Sequence, residues 1–111
     1  MRIEVKTSFI SFHCWPTAPV EVSFLQNPHR HVFHVVCRFD VVHADRDLEF
    51  FIMQQKINNV IGPLASDLSR IINWSCEKWA EEIAAQLPNV CYVSVHEDGE
   101  NGAILTIEED V

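Results

Sequence analysis

Three histidines lie where two strand-like segments end and begin: His13 closes the first segment, and His29 and His31 open the second. Side chains alternate between the two faces of an extended strand, so His29 and His31 point the same way and both imidazoles can bind one metal ion. A third histidine on a neighbouring strand completes a three-ligand zinc site with one open position for water or substrate. The spacing predicts a zinc centre of His13, His29 and His31. The alternative is three unrelated strand histidines.

The composition limits the kind of protein this is. Of the 111 residues, 48% are hydrophobic and 22% are charged, which is typical of a globular protein rather than a disordered chain. The length predicts a single domain over residues 1–111. The net charge is −8 with only eight Lys and Arg residues. This argues against a nucleic-acid partner, because binding a phosphate backbone needs clustered basic side chains.

The sequence contains no apolar run of membrane length and no secretory leader, because Glu4 and Lys6 interrupt the apolar residues that follow Met1. We therefore expect a cytoplasmic protein without a membrane partner.

None of the four cysteines has a CxxC spacing, and without a secretory signal we expect all four to be reduced. Cys14 directly follows His13. Because adjacent strand residues face opposite ways, core packing is favoured for Cys14 over a role beside the histidines.

Hydrophobic alternation predicts two long strands in the first part of the chain, over residues 2–15 and 31–42. A loop over residues 17–28 should join them as antiparallel neighbours. A second pair of strands is predicted at Val90–Glu97 and 103–107, joined by a turn rich in Asp, Gly and Asn.

Two amphipathic helices are predicted between these strand pairs. The first covers residues 47–61, with Asp47 available to begin it and Gly62-Pro63 to end it. The second covers residues 75–87, with Ser75 as its N-cap. The positions expected on their buried faces are Phe50, Met53, Ile57 and Val60 in the first helix, and Trp79, Ile83 and Leu87 in the second.

The predicted order is strand, strand, helix, helix, strand, strand. It indicates an α+β fold in which an antiparallel four-stranded sheet carries both helices on one face. The other face of the sheet would then be uncovered, and a homo-oligomer would cover it.

Five short segments in this order resemble motifs of the 6-pyruvoyl-tetrahydropterin synthase and 6-carboxytetrahydropterin synthase family. Residues 11–13 (Ser-Phe-His) resemble the family's Ala-Ala-His, and residues 29–31 (His-Arg-His) resemble its His-Gly-His. Residues 48–50 resemble the Asp-Phe at the start of the family's first helix, and residues 75–80 the Thr-x-Glu-Asn-Leu-Ala of its second. Residues 93–97 resemble a third-strand motif that ends in Glu.

The resemblance implies the tunnelling fold of that family, with zinc on His13, His29 and His31 and a pterin ring held by Glu97. It also implies a homo-oligomer, either a trimer or a hexamer of two stacked trimers. A carboxylate suits the edge of a pterin or guanine-like base, because it accepts two parallel N–H bonds. Without the resemblance, an exposed acid at the mouth of a hairpin would be the favoured interpretation of Glu97.

Two parts of the family's acid–base machinery have no counterpart in this sequence. The family has a catalytic Cys shortly before His-Gly-His, and residues 24–28 contain none. The family has an Asp-His pair between its helices, whereas residues 60–73 contain Asp67 but no His. By strand parity, His34 and His96 should face away from the metal. Glu77 is expected to be structural, because an acid in the first helical turn is favoured by the helix dipole.

Three hypotheses follow for the function. The first is a zinc-dependent lyase acting on 7,8-dihydroneopterin triphosphate or a related pterin. The second is a catalytically degenerate member of the family that binds a pterin or purine compound without turnover. The third, an acidic scaffold without a ligand, would be indicated if the protein carried no metal.

Overall fold

The computed structural model describes residues 1–65 and 73–107; Asp67 lies outside these ranges. It has an α+β architecture with a four-stranded antiparallel sheet, two α-helices and one 3-10 helix. Every neighbouring pair of strands is antiparallel, as predicted, and the strand order in the sheet is β1-β2-β3-β4. The elements are β1 (Arg2–His13), the 3-10 helix (Val20–Gln26), β2 (His29–Asp40), α1 (Phe50–Ala65), α2 (Cys76–Gln86), β3 (Val90–Glu97) and β4 (Gly102–Thr106).

The pairing of β1 with β2 sets the position of the histidines. The two strands pair along their whole length, from Arg2 opposite Asp40 to His13 opposite His29. Strand β1 ends two residues earlier than predicted, because the backbone N–H of Trp15 turns away from the sheet and donates to the carbonyl of Leu25 at 2.7 Å. Strand β2 begins two residues earlier than predicted, so both of its candidate ligands lie within regular strand.

The core lies on one face of the sheet. Alternate strand residues point toward the helices, including Val5 of β1, Val35 of β2 and Val93 of β3. The buried helix residues that join this single cluster are Met53, Ile57 and Ile61 of α1, and Cys76, Trp79, Ala80 and Ile83 of α2. Both α-helices therefore pack on the same face, as the sequence predicted.

Helix α1 begins later than predicted because a different acid caps it. The Glu49 side chain accepts the backbone N–H of Ile52 at 2.8 Å. Asp47 instead accepts the backbone N–H of Val42 at 2.8 Å and so holds the loop before the helix. With Phe50 as the first helical residue, its side chain is 56% exposed rather than buried.

The predicted end of α1 at Gly62-Pro63 is wrong, since the helix continues to Ala65. A proline inside a helix lacks the N–H that would bond four residues back. Only two helical residues follow Pro63, so the loss is confined to the last turn. Ile61, rather than Val60, completes the fully buried stripe of the helix.

Helix α2 begins as predicted. The hydroxyl of Ser75 accepts the backbone N–H of Lys78 at 3.1 Å, which satisfies one of the free donors at the helix N terminus. Trp79, Ile83 and Leu87 are all buried, as the helical spacing predicted. Neither α2 nor any other helix in the described ranges is long and apolar enough to cross a lipid bilayer.

The hairpin of β3 and β4 turns at Asp98 and Gly99, which have left-handed backbone angles of φ 54° and φ 73°. Gly favours this region because it has no Cβ, and Asp tolerates it better than most residues. The turn lies against β2, since the backbone N–H of Asp98 donates to the carbonyl of Val32 at 2.7 Å. The turn is thereby placed beside the end of β2 that carries the histidines.

Candidate metal centre

The three predicted ligands meet at one end of the helix-facing side of the sheet. His13 and His29 are register partners, and His31 lies opposite the buried Ser11. The imidazole centroids are 4.5 Å apart for His13–His29, 5.0 Å for His13–His31 and 4.9 Å for His29–His31. One nitrogen from each ring lies within 4.8 Å of the other two. The cluster predicted from strand alternation therefore forms, and it is able to hold a metal ion.

Backbone carbonyls fix the protonation of two of these rings. The Nδ1 atom of His13 lies 2.9 Å from the carbonyl oxygen of Trp74, and that of His29 lies 2.8 Å from the carbonyl of Asn27. A carbonyl can only accept a hydrogen bond, so Nδ1 must carry the proton in each ring. In the neutral imidazole the lone pair is then left on Nε2, as metal binding requires.

The third ring is held by a carboxylate. The Nδ1 atom of His31 lies 2.6 Å from Oδ2 of Asp98, whose other oxygen accepts the backbone N–H of Val32 at 2.9 Å. The bond from His31, followed by the bond from Val32, lowers the pKa of Asp98 below its usual range. Asp98 is therefore an ionised acceptor at neutral pH, and it favours the same Nδ1–H tautomer in His31.

The inward-facing nitrogens fit a metal ion. Among the described residues, Nε2 of His29 and Nε2 of His31 are buried and have no hydrogen-bond partner. A buried polar atom without a partner is costly, and coordination to a metal would satisfy both atoms. Burial lowers the pKa of His13, and His29 and His31 lower it further, against the opposing effects of the Trp74 carbonyl and of Glu97. The neutral form that binds metals is thus favoured.

Glu97 is the last residue of β3, where the hairpin turn begins, and its partly buried side chain lies beside the histidines. It pairs with Phe33 in the β2–β3 register, and its side chain is 30% exposed. Its two carboxylate oxygens lie 3.6 Å from Nε2 of His13 and 3.6 Å from Nε2 of His31. Burial first, and then the negative charges of Glu97 and Glu77, raise the pKa of Cys76 to about 12. The Cys76 thiol is therefore protonated at neutral pH.

A cavity of about 430 Å³ opens beside the metal cluster. Its polar lining includes His13, His29 and Glu97, and its apolar lining includes Trp15 and Trp74. Glu77, expected to be structural, also lines the cavity from the first turn of α2. Carboxylates, imidazoles and indole rings thus surround one small-molecule-sized space.

The placement of Cys14 differs from the sequence prediction of core packing. Its thiol lies 3.1 Å from Oδ1 of Asn73, to which it donates, and it lines the cavity beside His13. Strict alternation ends with β1 at His13, so the next residue is free to turn back toward the site. Pro16, two positions later, was the signal in the sequence that the strand had to end here.

The remaining histidines do not join the centre. His34 pairs with His96 on the opposite face of the sheet, and His34 is exposed. His43 is exposed in the loop before α1, with its Nε2 atom 3.5 Å from Asp47. Strand parity had predicted this separation for both sheet histidines.

No protein-family model matches this chain, and no curated protein gives a significant match to it.

Proposed function

We propose that this protein is a zinc-binding member of the pterin-synthase type, with the tunnelling fold, that takes 7,8-dihydroneopterin triphosphate or a related pterin. His13, His29 and His31 hold the metal, and Glu97 holds the ring of the ligand. One observation carries the proposal: Glu97 lines one cavity with His13 and His29, and its carboxylate oxygens lie 3.6 Å from Nε2 of His13 and 3.6 Å from Nε2 of His31. The order of the elements, two strands, two helices and two strands, also supports it.

Zinc is the metal that best suits the donor set. Three neutral imidazoles on a rigid strand pair are a typical catalytic zinc set, which leaves one position for substrate. When bound, zinc polarises a hydroxyl or carbonyl oxygen of the substrate and so eases loss of a proton from the adjacent carbon. The protein supplies the orientation, because each imidazole is anchored through Nδ1.

The cavity suits a flat, polar heterocycle. Its volume of about 430 Å³ lies within the range of small-molecule sites, roughly 300–1,000 Å³. The Glu97 carboxylate can accept two parallel N–H bonds from the amino and ring N–H groups of a pterin. Trp15 and Trp74 add apolar surface. The polar edge of the ligand would thus be fixed by Glu97, close to the metal.

A second candidate function is binding of a pterin or purine compound without turnover. Residues 24–28 contain no cysteine to act as the family's proton-transfer group. Cys14 lines the cavity, but it follows the end of β1, whereas the family's cysteine precedes the second strand. Loss of a positioned base typically reduces the rate by a factor of about 10²–10⁴, so the two functions differ measurably in turnover.

The assembly we propose is a homo-oligomer, a trimer or a hexamer of two trimers. Strands β1 and β4 are each hydrogen-bonded on one side only within the described sheet, and open edges are normally paired or protected. The face of the sheet opposite the helices carries exposed apolar side chains, including Ile10, Phe12 and Ile104. Ring closure through the strand edges would pair both edges and cover part of this face.

The test is ligand binding together with turnover. Calorimetry with dihydroneopterin and with guanine derivatives is compared for the wild type, Glu97→Gln and Glu100→Gln, alongside product formation from dihydroneopterin triphosphate. Glu100 is an exposed acid in the same hairpin, so its variant is the matched control. We expect binding to fall in Glu97→Gln alone. Rapid turnover by the wild type would establish the enzyme and exclude the binding-only function. Unchanged binding in Glu97→Gln would overturn the pterin assignment.

A further inference from the structure

We propose that Asp98 is a positioning residue for the metal centre: it holds His31 in the tautomer whose Nε2 lone pair faces the metal. This inference rests on the metal site proposed above and extends it beyond the three ligands. No motif in the sequence predicts this role, since Asp98 lies 67 positions from His31 along the chain.

The Asp98 side chain is held firmly enough to act in this way. Its backbone N–H donates to the carbonyl of Val32 at 2.7 Å, and its Oδ1 accepts the N–H of the same residue at 2.9 Å. Val32 directly follows His31, so these two bonds fix Asp98 relative to the ligand. The second oxygen, Oδ2, is left 2.6 Å from Nδ1 of His31.

Asp98 differs in charge from the groups that hold the other two ligands. His13 and His29 donate to neutral backbone carbonyls, which no side-chain substitution can remove. His31 donates to a carboxylate, and hydrogen bonds with an ionised acceptor are shorter and roughly twice as strong as neutral ones. A carboxylate behind a ligating histidine fixes the ring and raises its basicity toward the metal. Asp98 is thus the one Nδ1 partner of this centre that a point mutation can neutralise.

Replacing Asp98 by Asn removes the negative charge of the side chain and keeps its size and shape. Asn tolerates the left-handed backbone found at this position, so the turn should be retained. An amide has one accepting oxygen, whereas Asp98 accepts from two N–H groups, those of Val32 and His31. If the oxygen stays with Val32, the amide NH₂ faces His31. Nδ1 must then accept, the ring proton moves to Nε2, and the lone pair needed for the metal is lost.

The experiment measures zinc affinity by chelator competition for the wild type, Asp98→Asn and Glu100→Gln. Loss of such a partner typically costs about 10–100-fold in metal affinity, and we expect a loss of that size in Asp98→Asn. Glu100→Gln should keep the wild-type affinity, because this exposed acid of the same hairpin forms no side-chain bond to a histidine among the described contacts. Equal zinc affinities for Asp98→Asn and the wild type would overturn the inference.

A second readout does not depend on the variant folding. Nitrogen-15 NMR of the zinc-free wild type identifies which ring nitrogen of His31 carries the proton at neutral pH. We expect the proton on Nδ1 of His31, the nitrogen that lies 2.6 Å from Asp98. A proton on Nε2 in the wild type would overturn the inference even if zinc still binds. Failure of the wild type to bind zinc at all would instead overturn the proposed function.

Discussion

His13 and His29 are direct partners in the register of β1 and β2, and their imidazole centroids lie 4.5 Å apart. The strand pairing that builds the sheet therefore also brings these two ligands together. The ring of Phe33, fully buried, lies 5.5 Å from His13 and 5.9 Å from His31 and forms an apolar floor beneath the cluster. The site is thus attached to the core and needs little ordering when a metal binds.

Thiol labelling should identify Cys14 as the reactive cysteine of the native protein. Burial raises the pKa of both Cys37 and Cys76 to about 12, so neither is a thiolate at neutral pH, and Cys91 is buried as well. Cys14 is only partly buried and lines the cavity. Mass spectrometry after brief treatment with an alkylating reagent should find one label per chain.

The matched control for this labelling is Cys14→Ser, which should take up almost no label in the same time. A pterin that occupies the cavity should slow the labelling of the wild type. Equal labelling of Cys14→Ser and the wild type would contradict the placement of this thiol.

The zinc-free protein should lose stability as the solution becomes mildly acidic. The folded-state pKa of His13 is lowered from its ordinary value of 6.5, mainly by burial. Between the lowered pKa and 6.5 the unfolded chain binds more protons, so the free energy of unfolding falls as pH falls through this window. Urea unfolding at about pH 8 and about pH 5.5, both with chelator, measures the change.

His13→Gln removes the titrating ring and should make this pH dependence shallower. The variant has no imidazole at position 13, so proton binding there no longer contributes to the pH dependence of stability. This holds whatever the substitution does to the absolute stability. An identical slope of stability against pH in the wild type and in the variant would show that His13 is not the group responsible.

Self-association should depend on the face of the sheet opposite the helices. Ile104 is 61% exposed on this face, and a lysine there would place a charge in any interface that covers it. We expect Ile104→Lys to shift the mass measured by light scattering toward the monomer at micromolar concentration. Val42→Lys, at a more exposed apolar residue outside the sheet, should leave the mass unchanged. A monomeric wild type would contradict the proposed assembly.

Strand alternation was enough to predict the histidine cluster, because His29 and His31 share a face in any regular strand. Alternation could not place Cys14, because β1 ends where the backbone of Trp15 bonds to Leu25, which lies in the 3-10 helix ten residues further along the chain. The start of α1 was missed for a similar reason. Two nearby acids could cap this helix, and the contact between Asp47 and Val42 selects Glu49.

The contact between Asp98 and the third ligand, His31, could not be predicted from the sequence either. Asp98 meets His31 because Asp98 has a left-handed backbone conformation and because β3 pairs with β2. Neither condition has a signature in the residues around His31. Glu97 was singled out by the family resemblance, which says nothing of its distance from the histidines, and its role as a pterin ligand stays a prediction.

The central claim is a zinc ion held by three named histidines, and metal analysis of protein purified without chelator tests it most directly. His31→Ala is compared with His34→Ala, which removes a histidine from the same strand but from the opposite face. We predict close to one zinc per chain in the wild type and in His34→Ala, and little or none in His31→Ala. Equal zinc content in His31→Ala and His34→Ala, or a wild type without zinc, would contradict the assignment.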